Sequence, residues 1–92
     1  MSVETAHIRQ GAEILRRYGA RRVFVFGRAA ETPEAAQDLD LAVEGMAPCD
    51  YLKALGDLSD ELLVPVDLVD LADGPRFAEL IRRRGKVVYE RP

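Results

Sequence analysis

The chain has 92 residues, of which 48% are hydrophobic and 32% are charged, a composition typical of one folded globular domain. The formal net charge of −3 argues against a dedicated nucleic-acid binder, because the surface of such a protein is usually basic. No apolar run approaches the roughly 18 residues that span a bilayer, and the single Cys49 excludes an internal disulfide. The N-terminal segment lacks a signal-peptide pattern. We therefore expect one cytoplasmic domain over residues 1–92, with no membrane association.

The N-terminal part of the chain is predicted to form a helix followed by a buried strand. Residues 4–18 have the apolar spacing of an amphipathic helix, and Gly19 is a plausible stop. The apolar residues at helical spacing are Ile8, Ala12 and Leu15. Residues 22–26 (RVFVF) are mostly apolar on both faces, which is the pattern of a strand buried in a sheet. Gly27 ends this strand, and residues 28–37 are predicted to form a short helical turn and a loop.

The rest of the chain alternates strands and helices. Strands are predicted at 38–43 and 64–71, helices at 50–62 and 75–84, and a short strand or extended tail at 86–89. The apolar positions at helical spacing in the first helix are Leu52, Leu55, Leu58, Leu62 and Leu63, and the second helix is expected to bury Phe77, Leu80 and Ile81. Because a helix joins the second and third strands, we expect these two strands to be parallel within an α/β domain.

A pair of carboxylates on one strand is the most informative chemical feature. Asp38 and Asp40 are predicted to point to the same side, with Cα atoms about 6.5 to 7 Å apart. Because adjacent carboxylates repel each other and resist desolvation, a divalent cation is a good reason for such a pair, and Mg²⁺ suits these hard oxygen ligands. Asp67 interrupts an apolar strand and would face the same site if the two strands are neighbours. The three residues would then bind metal ions for phosphoryl or nucleotidyl transfer, with Asp67 as the base.

A purely structural interpretation of the same aspartates remains open at this point. Asp38 and Asp40 would also be compatible with the solvated face of an edge strand, where carboxylates discourage aggregation, and Asp67 with a capping role. The residues upstream favour a functional site, because an apolar strand ends at Gly27 and a helix begins directly after it. Glycine permits a close approach of phosphate to the backbone, and helix N-termini favour anions.

Four segments of the sequence resemble the minimal nucleotidyltransferases of the DNA polymerase β superfamily. They are residues 23–27 (VFVFG), 38–43 (DLDLAV), 66–69 (VDLV) and 85–90 (GKVVYE), which together extend over most of the chain. The resemblance implies an α/β (α+β) fold of the polymerase β palm type, a mixed sheet with helices packed on it. The positions that match the family's turn glycine, metal-binding pair and third carboxylate are Gly27, Asp38, Asp40 and Asp67.

The resemblance also implies a substrate and a metal, with one departure from the family pattern. It implies ATP as the nucleotide donor and Mg²⁺ bound by the three aspartates. The serine that follows the turn glycine in the family is replaced by Arg28 or lost through a deletion, and the Ala-Arg-Gly stretch after it is absent. Arg28 would either bind phosphate through its guanidinium group or pair with an aspartate and occupy the metal site.

The family further implies a protein partner. Its minimal members are commonly antitoxins of HEPN-type toxins, and some transfer AMP from ATP to a tyrosine of the toxin, so a hetero-oligomer is expected. If Arg28 blocks the metal site, the chain would instead be an antitoxin that neutralises its toxin by binding alone. Two arginine groups, residues 16–22 and 82–84, would dock an acidic partner or a triphosphate, or would be solvated helix ends.

Overall fold

The computed structural model describes residues 3–92 and contains four helices and four strands. The helices are α1 (Thr5–Arg17), α2 (Arg28–Glu31), α3 (Tyr51–Glu61) and α4 (Pro75–Arg84). The strands are β1 (Arg22–Phe26), β2 (Leu39–Glu44), β3 (Val66–Asp70) and β4 (Lys86–Glu90). Short 3-10 turns lie at Pro33–Ala35, Pro48–Asp50 and Leu71–Asp73. Within residues 3–92, no helix is both long and apolar enough to cross a membrane.

The strands form one mixed sheet in the order β3-β2-β1-β4. The predicted parallel pairing of the second and third strands is confirmed, because β2 and β3, which α3 connects, are adjacent and run in the same direction. The central strand β1 pairs antiparallel with both β2 and β4, and its register with β4 shifts between Val23 and Phe24. The predicted mixed sheet with helices packed on it is therefore confirmed.

Helices cover both faces of the sheet. The larger core lies where α1 and α3 pack on one face, around Leu41 of β2 and Leu58 of α3. On the opposite face, α4 packs through Ala78 and Ile81 against Phe24 of β1. The side chains of β2 alternate between these faces, because successive residues of a strand point to opposite sides. Leucine and valine therefore enter the larger core, while the aspartate and alanine positions face the side that carries α4.

The end of α1 agrees with the sequence prediction. Gly19 has a φ of 85°, in the left-handed region that glycine adopts without steric cost. The N–H groups of Gly19 and Ala20 donate to the carbonyl oxygens of Arg16 and Leu15, which is the hydrogen-bond pattern of a Schellman motif. The helix therefore stops just before this glycine, and a short connection leads from it to β1.

The predicted burial of two apolar positions in α4 is wrong. Phe77 and Leu80 do not enter the core, since they are 40% and 45% exposed, and only Ile81 of the three predicted residues is buried. Leu52 and Leu63 are also exposed, because α3 contacts the sheet along a narrow stripe and ends before Leu62. Helical spacing identifies an apolar face, but the width of the face that is covered depends on the neighbouring elements. In α4, this leaves two large apolar side chains at the surface.

Candidate active site

The parallel register of β2 and β3 places two of the predicted aspartates side by side. Asp40 is directly opposite Asp67 in the β2–β3 pair. The pKa of Asp40 is raised, first by burial, then by the negative charge of Asp67, a hydrogen bond shared with the Asp67 carboxyl group, and the charge of Asp38. Asp40 is half-buried, whereas Asp67 is exposed on the edge strand. The structure therefore brings like-charged groups together at one end of the sheet.

The third predicted aspartate lies just before β2, which begins one residue later than predicted. Asp38 is exposed and lines a pocket of about 280 Å³ together with Asp40 and Arg28. The pocket is polar, and its remaining wall is formed by residues 35–37. Within residues 3–92, no salt bridge joins Arg28 to either aspartate. Arg28 therefore lines the same pocket as the two aspartates without forming a salt bridge to either of them.

Gly27 lies directly against the side chain of Asp40. It follows β1 with a φ of 68°, a conformation that other residues rarely adopt. A Cβ atom at this position would lie 2.5 Å from Oδ2 of Asp40, which is closer than such contacts permit. The turn glycine of the sequence prediction is therefore required for two reasons, its backbone conformation and the proximity of the carboxylate.

The oxygen donors of this cluster fit a hard divalent cation. Within residues 3–92, no three His, Cys, Asp or Glu side chains converge into one metal-binding group, so the contact involves Asp40 and Asp67, with Asp38 beside it. Mg²⁺ is usually held by one or two carboxylates together with substrate phosphates, so such a pair is sufficient. A cation would also offset the repulsion that raises the pKa of Asp40.

A second pocket, which the sequence did not predict, adjoins the first. It has a volume of about 230 Å³, and Phe26, Gly27, Phe77 and Leu80 are among the residues that line it. The charged residues of its lining are Glu31 and Arg84. The rings of Phe26 and Phe77 pack edge to face, with centroids 5.6 Å apart and planes at 86°. The sequence contained one signal of this pocket. Phe77 and Leu80 make the apolar face of α4 wider than the contact of this short helix with the sheet can bury.

The comparisons with known proteins identify the family of this fold. Residues 10–92 match the family model described as polymerase beta, nucleotidyltransferase. No curated protein sequence matches the chain significantly.

Several solved structures share the fold. A chain of the toxin-antitoxin MntA-HepT is 19% identical, with a TM-score of 0.72 over 96% of this chain and 74% of that chain. A toxin-antitoxin structure with AMP-PNP is 20% identical, with a TM-score of 0.74 over 92% and 73%. A structure of the tri-AMPylated Shewanella oneidensis HEPN toxin in complex with MNT antitoxin gives 20% and 0.71 over 94% and 71%. Since the family model matches most of its length, this chain belongs to the polymerase beta nucleotidyltransferase family.

Proposed function

We propose that this chain is a Mg²⁺-dependent nucleotidyltransferase that transfers AMP from ATP to a tyrosine hydroxyl of a HEPN-type toxin and acts as its antitoxin. The observation that carries the proposal is the contact between Asp40 and Asp67 beside Gly27. The toxin-antitoxin complexes that share the fold support the choice of partner, and the structures that contain AMP-PNP and an AMPylated toxin support the choice of nucleotide.

The two pockets suit different parts of the nucleotide, the phosphates in one and the nucleoside in the other. The polar pocket, with Arg28 at its wall, suits the β- and γ-phosphates, because a guanidinium group forms charge-assisted hydrogen bonds with phosphate oxygens. The apolar pocket beside Phe26 and Phe77 suits the nucleoside, because aromatic walls provide a stacking surface for a base. Gly27 lines the apolar pocket next to Asp40 of the polar pocket, and its lack of a side chain would leave the backbone accessible to the α-phosphate.

Asp40 and Asp67, with Asp38 beside them, would hold Mg²⁺, which when bound would neutralise the phosphate charge that develops during transfer. Asp67 lies on the side of Asp40 that is opposite to Gly27, because β2 separates β3 from β1. An acceptor hydroxyl that enters beside Asp67 would therefore approach from the side opposite to Gly27. An in-line displacement requires the attacking and leaving oxygens to lie on opposite sides of the α-phosphorus, and an approach beside Asp67 is compatible with this requirement.

The chain's own residues account for the proton and the leaving group in this reaction. The acceptor oxygen forms a bond to the α-phosphorus and gives its proton to the exposed carboxylate of Asp67. The bond between the α-phosphorus and the bridging oxygen breaks, and pyrophosphate leaves towards Arg28. The products are an AMP-modified acceptor and pyrophosphate.

A labelling experiment with matched variants tests this function. A HEPN-type toxin partner is incubated with the protein, Mg²⁺ and ATP, and AMP addition is measured by mass spectrometry. Asp40→Asn should abolish the addition, while Asp73→Asn, the same change at an exposed position outside the site, should not alter it. Equal labelling with Asp40→Asn and with the wild type would contradict the proposal.

Neutralisation by binding alone is a second candidate, favoured by Arg28 at the position of the family's serine. It predicts that Asp40→Asn still suppresses the activity of the toxin and that calorimetry with Mg²⁺ and ATP detects no binding. Because Arg28 lines the pocket without a salt bridge to Asp38 or Asp40, the arrangement of the described residues supports the catalytic candidate.

A further inference from the structure

Two arginine groups that are distant in the sequence converge on one buried glutamate. Nη2 of Arg22 lies 3.1 Å from Oε1 of Glu44, and Nη2 of Arg21 lies 3.5 Å from the same oxygen. Arg82 of α4 donates to Oε2 from both Nε and Nη2, at 3.2 and 3.0 Å. We name these three residues and Glu44 the arginine cluster.

The cluster lies on the face of the sheet that also carries Asp40. Glu44 ends β2 and is only 7% exposed. Asp40 and Glu44 point to the same side, because their positions in the strand differ by an even number of residues. At the usual rise of a strand, their Cα atoms are about 13 Å apart. The cluster therefore lies at the opposite end of the same face, beyond the contact between α4 and the sheet.

The cluster has more positive charge than its glutamate requires. Three guanidinium groups and one carboxylate leave an excess of two positive charges. Arg82 alone forms a two-donor contact with Glu44, and this contact already supplies a counter-charge for the buried carboxylate. Arg21 adds only a longer contact, and 58% of its side chain is exposed, so its contribution to stability is expected to be small.

The arginines are nevertheless held in place. The guanidinium group of Arg22 lies 5.8 Å from the ring centroid of Phe24, within the range of a cation–π interaction. Each guanidinium has several N–H donors, and those not directed at Glu44 are available to a second anion. The result is a preorganised, partly exposed group of donors on a chain whose net charge is −3.

We infer that the arginine cluster is a docking site for an acidic segment of a partner protein. Guanidinium groups match carboxylates in geometry, and within the cluster Arg82 already directs two donors at one oxygen of Glu44. A nucleic-acid backbone requires cations along an extended path, whereas these arginines surround a single point. This docking does not depend on nucleotide transfer, so it extends the proposed function without resting on it.

An NMR titration of the isotope-labelled protein with an acetylated and amidated oligoglutamate peptide tests the inference. The side-chain Nε signals of Arg21, Arg22 and Arg82 should shift in a saturable way. Arg21→Gln should weaken the binding about tenfold, as expected for the loss of a charged hydrogen-bonding partner. Arg9→Gln removes the same charge from an exposed position on α1 and should leave the affinity unchanged.

Two further measurements separate docking from a purely structural role. Glu44→Gln removes the competing carboxylate and should tighten peptide binding; if this variant does not fold, the comparison of Arg21→Gln with Arg9→Gln decides. Inorganic phosphate and a single-stranded RNA oligonucleotide are titrated in parallel. No saturable shift with the peptide, equal weakening in both arginine variants, or tighter binding of phosphate or RNA than of the peptide would overturn the inference.

Discussion

Gly27 and Asp40 approach each other so closely that a Cβ atom on Gly27 would lie 2.5 Å from the carboxylate oxygen Oδ2. Gly27 directly follows β1, and Asp40 of the adjacent strand is opposite Phe26, the last residue of β1. The backbone after β1 therefore lies directly against the half-buried carboxylate. This proximity places the turn after β1 directly against Asp40, so the position requires a glycine.

Replacement of Gly27 by alanine should disrupt this site. The added methyl group displaces Asp40, and the φ of 68° is strained for any L-residue, so we expect a loss of stability of about 1–3 kcal/mol. Urea denaturation measures this loss, and calorimetry with Mg²⁺ and ATP should show no binding.

Gly19→Ala provides the matched control. Gly19 also has a positive φ, of 85°, but an added Cβ would meet no atom within 4 Å. We expect destabilisation by about 1–2 kcal/mol from the backbone alone, with nucleotide binding retained. Loss of nucleotide binding in both variants would show that the contact with Asp40 is not the cause.

The stability of the metal-free protein should increase as the pH falls through the raised pKa of Asp40. Burial and the neighbouring carboxylates raise this pKa, so the folded state binds the proton more tightly than the unfolded state. The resulting stabilisation is complete below the unfolded-state pKa and is lost as the pH rises through the folded-state pKa.

Asp40→Asn should remove this part of the pH profile and stabilise the metal-free protein near neutral pH. Thermal unfolding at a series of pH values in the presence of a chelator measures both effects. Asp60→Asn, on the exposed side of α3, makes the same chemical change away from the site and should keep the wild-type profile. Identical profiles for Asp40→Asn and the wild type would contradict this explanation.

Leu80→Ala should weaken ATP binding with little effect on folding. Leu80 lines the apolar pocket and is 45% exposed, so its truncation removes contact area for the nucleoside and leaves no buried cavity. We expect a loss of affinity of roughly 1 kcal/mol, measurable by calorimetry. Leu52→Ala, on the exposed side of α3, should bind ATP as the wild type does. Equal affinities of the two variants for ATP would show that its base does not bind in the apolar pocket.

Tyr51→Phe should destabilise the protein by about 1 kcal/mol, because a part-buried carbonyl loses its hydrogen-bond donor. The hydroxyl of Tyr51 donates to the carbonyl oxygen of Leu68 and so attaches α3 to β3, the strand that carries Asp67. Tyr89→Phe, at a half-buried position on β4, serves as the control and should change the free energy of unfolding by less than about 0.5 kcal/mol. A loss for Tyr89→Phe as large as that for Tyr51→Phe would mean that the hydroxyl contact is not responsible.

The position of Asp40 beside Asp67 follows from rules that are local to the sequence. Alternation places Asp40 on the face opposite to Leu39 and Leu41, and the helical connection to the next strand favours a parallel neighbour. The structure confirms that neighbour, with Asp40 opposite Asp67. These features were predictable because each depends on a few adjacent residues and one topological preference.

The second pocket and the arginine cluster depend on geometry that a sequence pattern does not contain. Phe77 and Leu80 have the spacing of core residues, and only the position of α4 over the sheet determines that they remain half exposed. Arg82 meets Glu44 because α4 crosses the sheet, and Arg22 meets it through the antiparallel register of β1 and β2. No local periodicity specifies these angles and registers.

The parallel pairing of β2 with β3 also has a consequence for folding. The chain must close the α3 crossover before Asp40 and Asp67 meet, and the closing step brings together two carboxylates that repel each other. The pairing of β1 with β2 joins segments that are closer in the sequence. We therefore expect β3 to join the sheet after β1 and β2 have paired, with Mg²⁺ slowing its detachment.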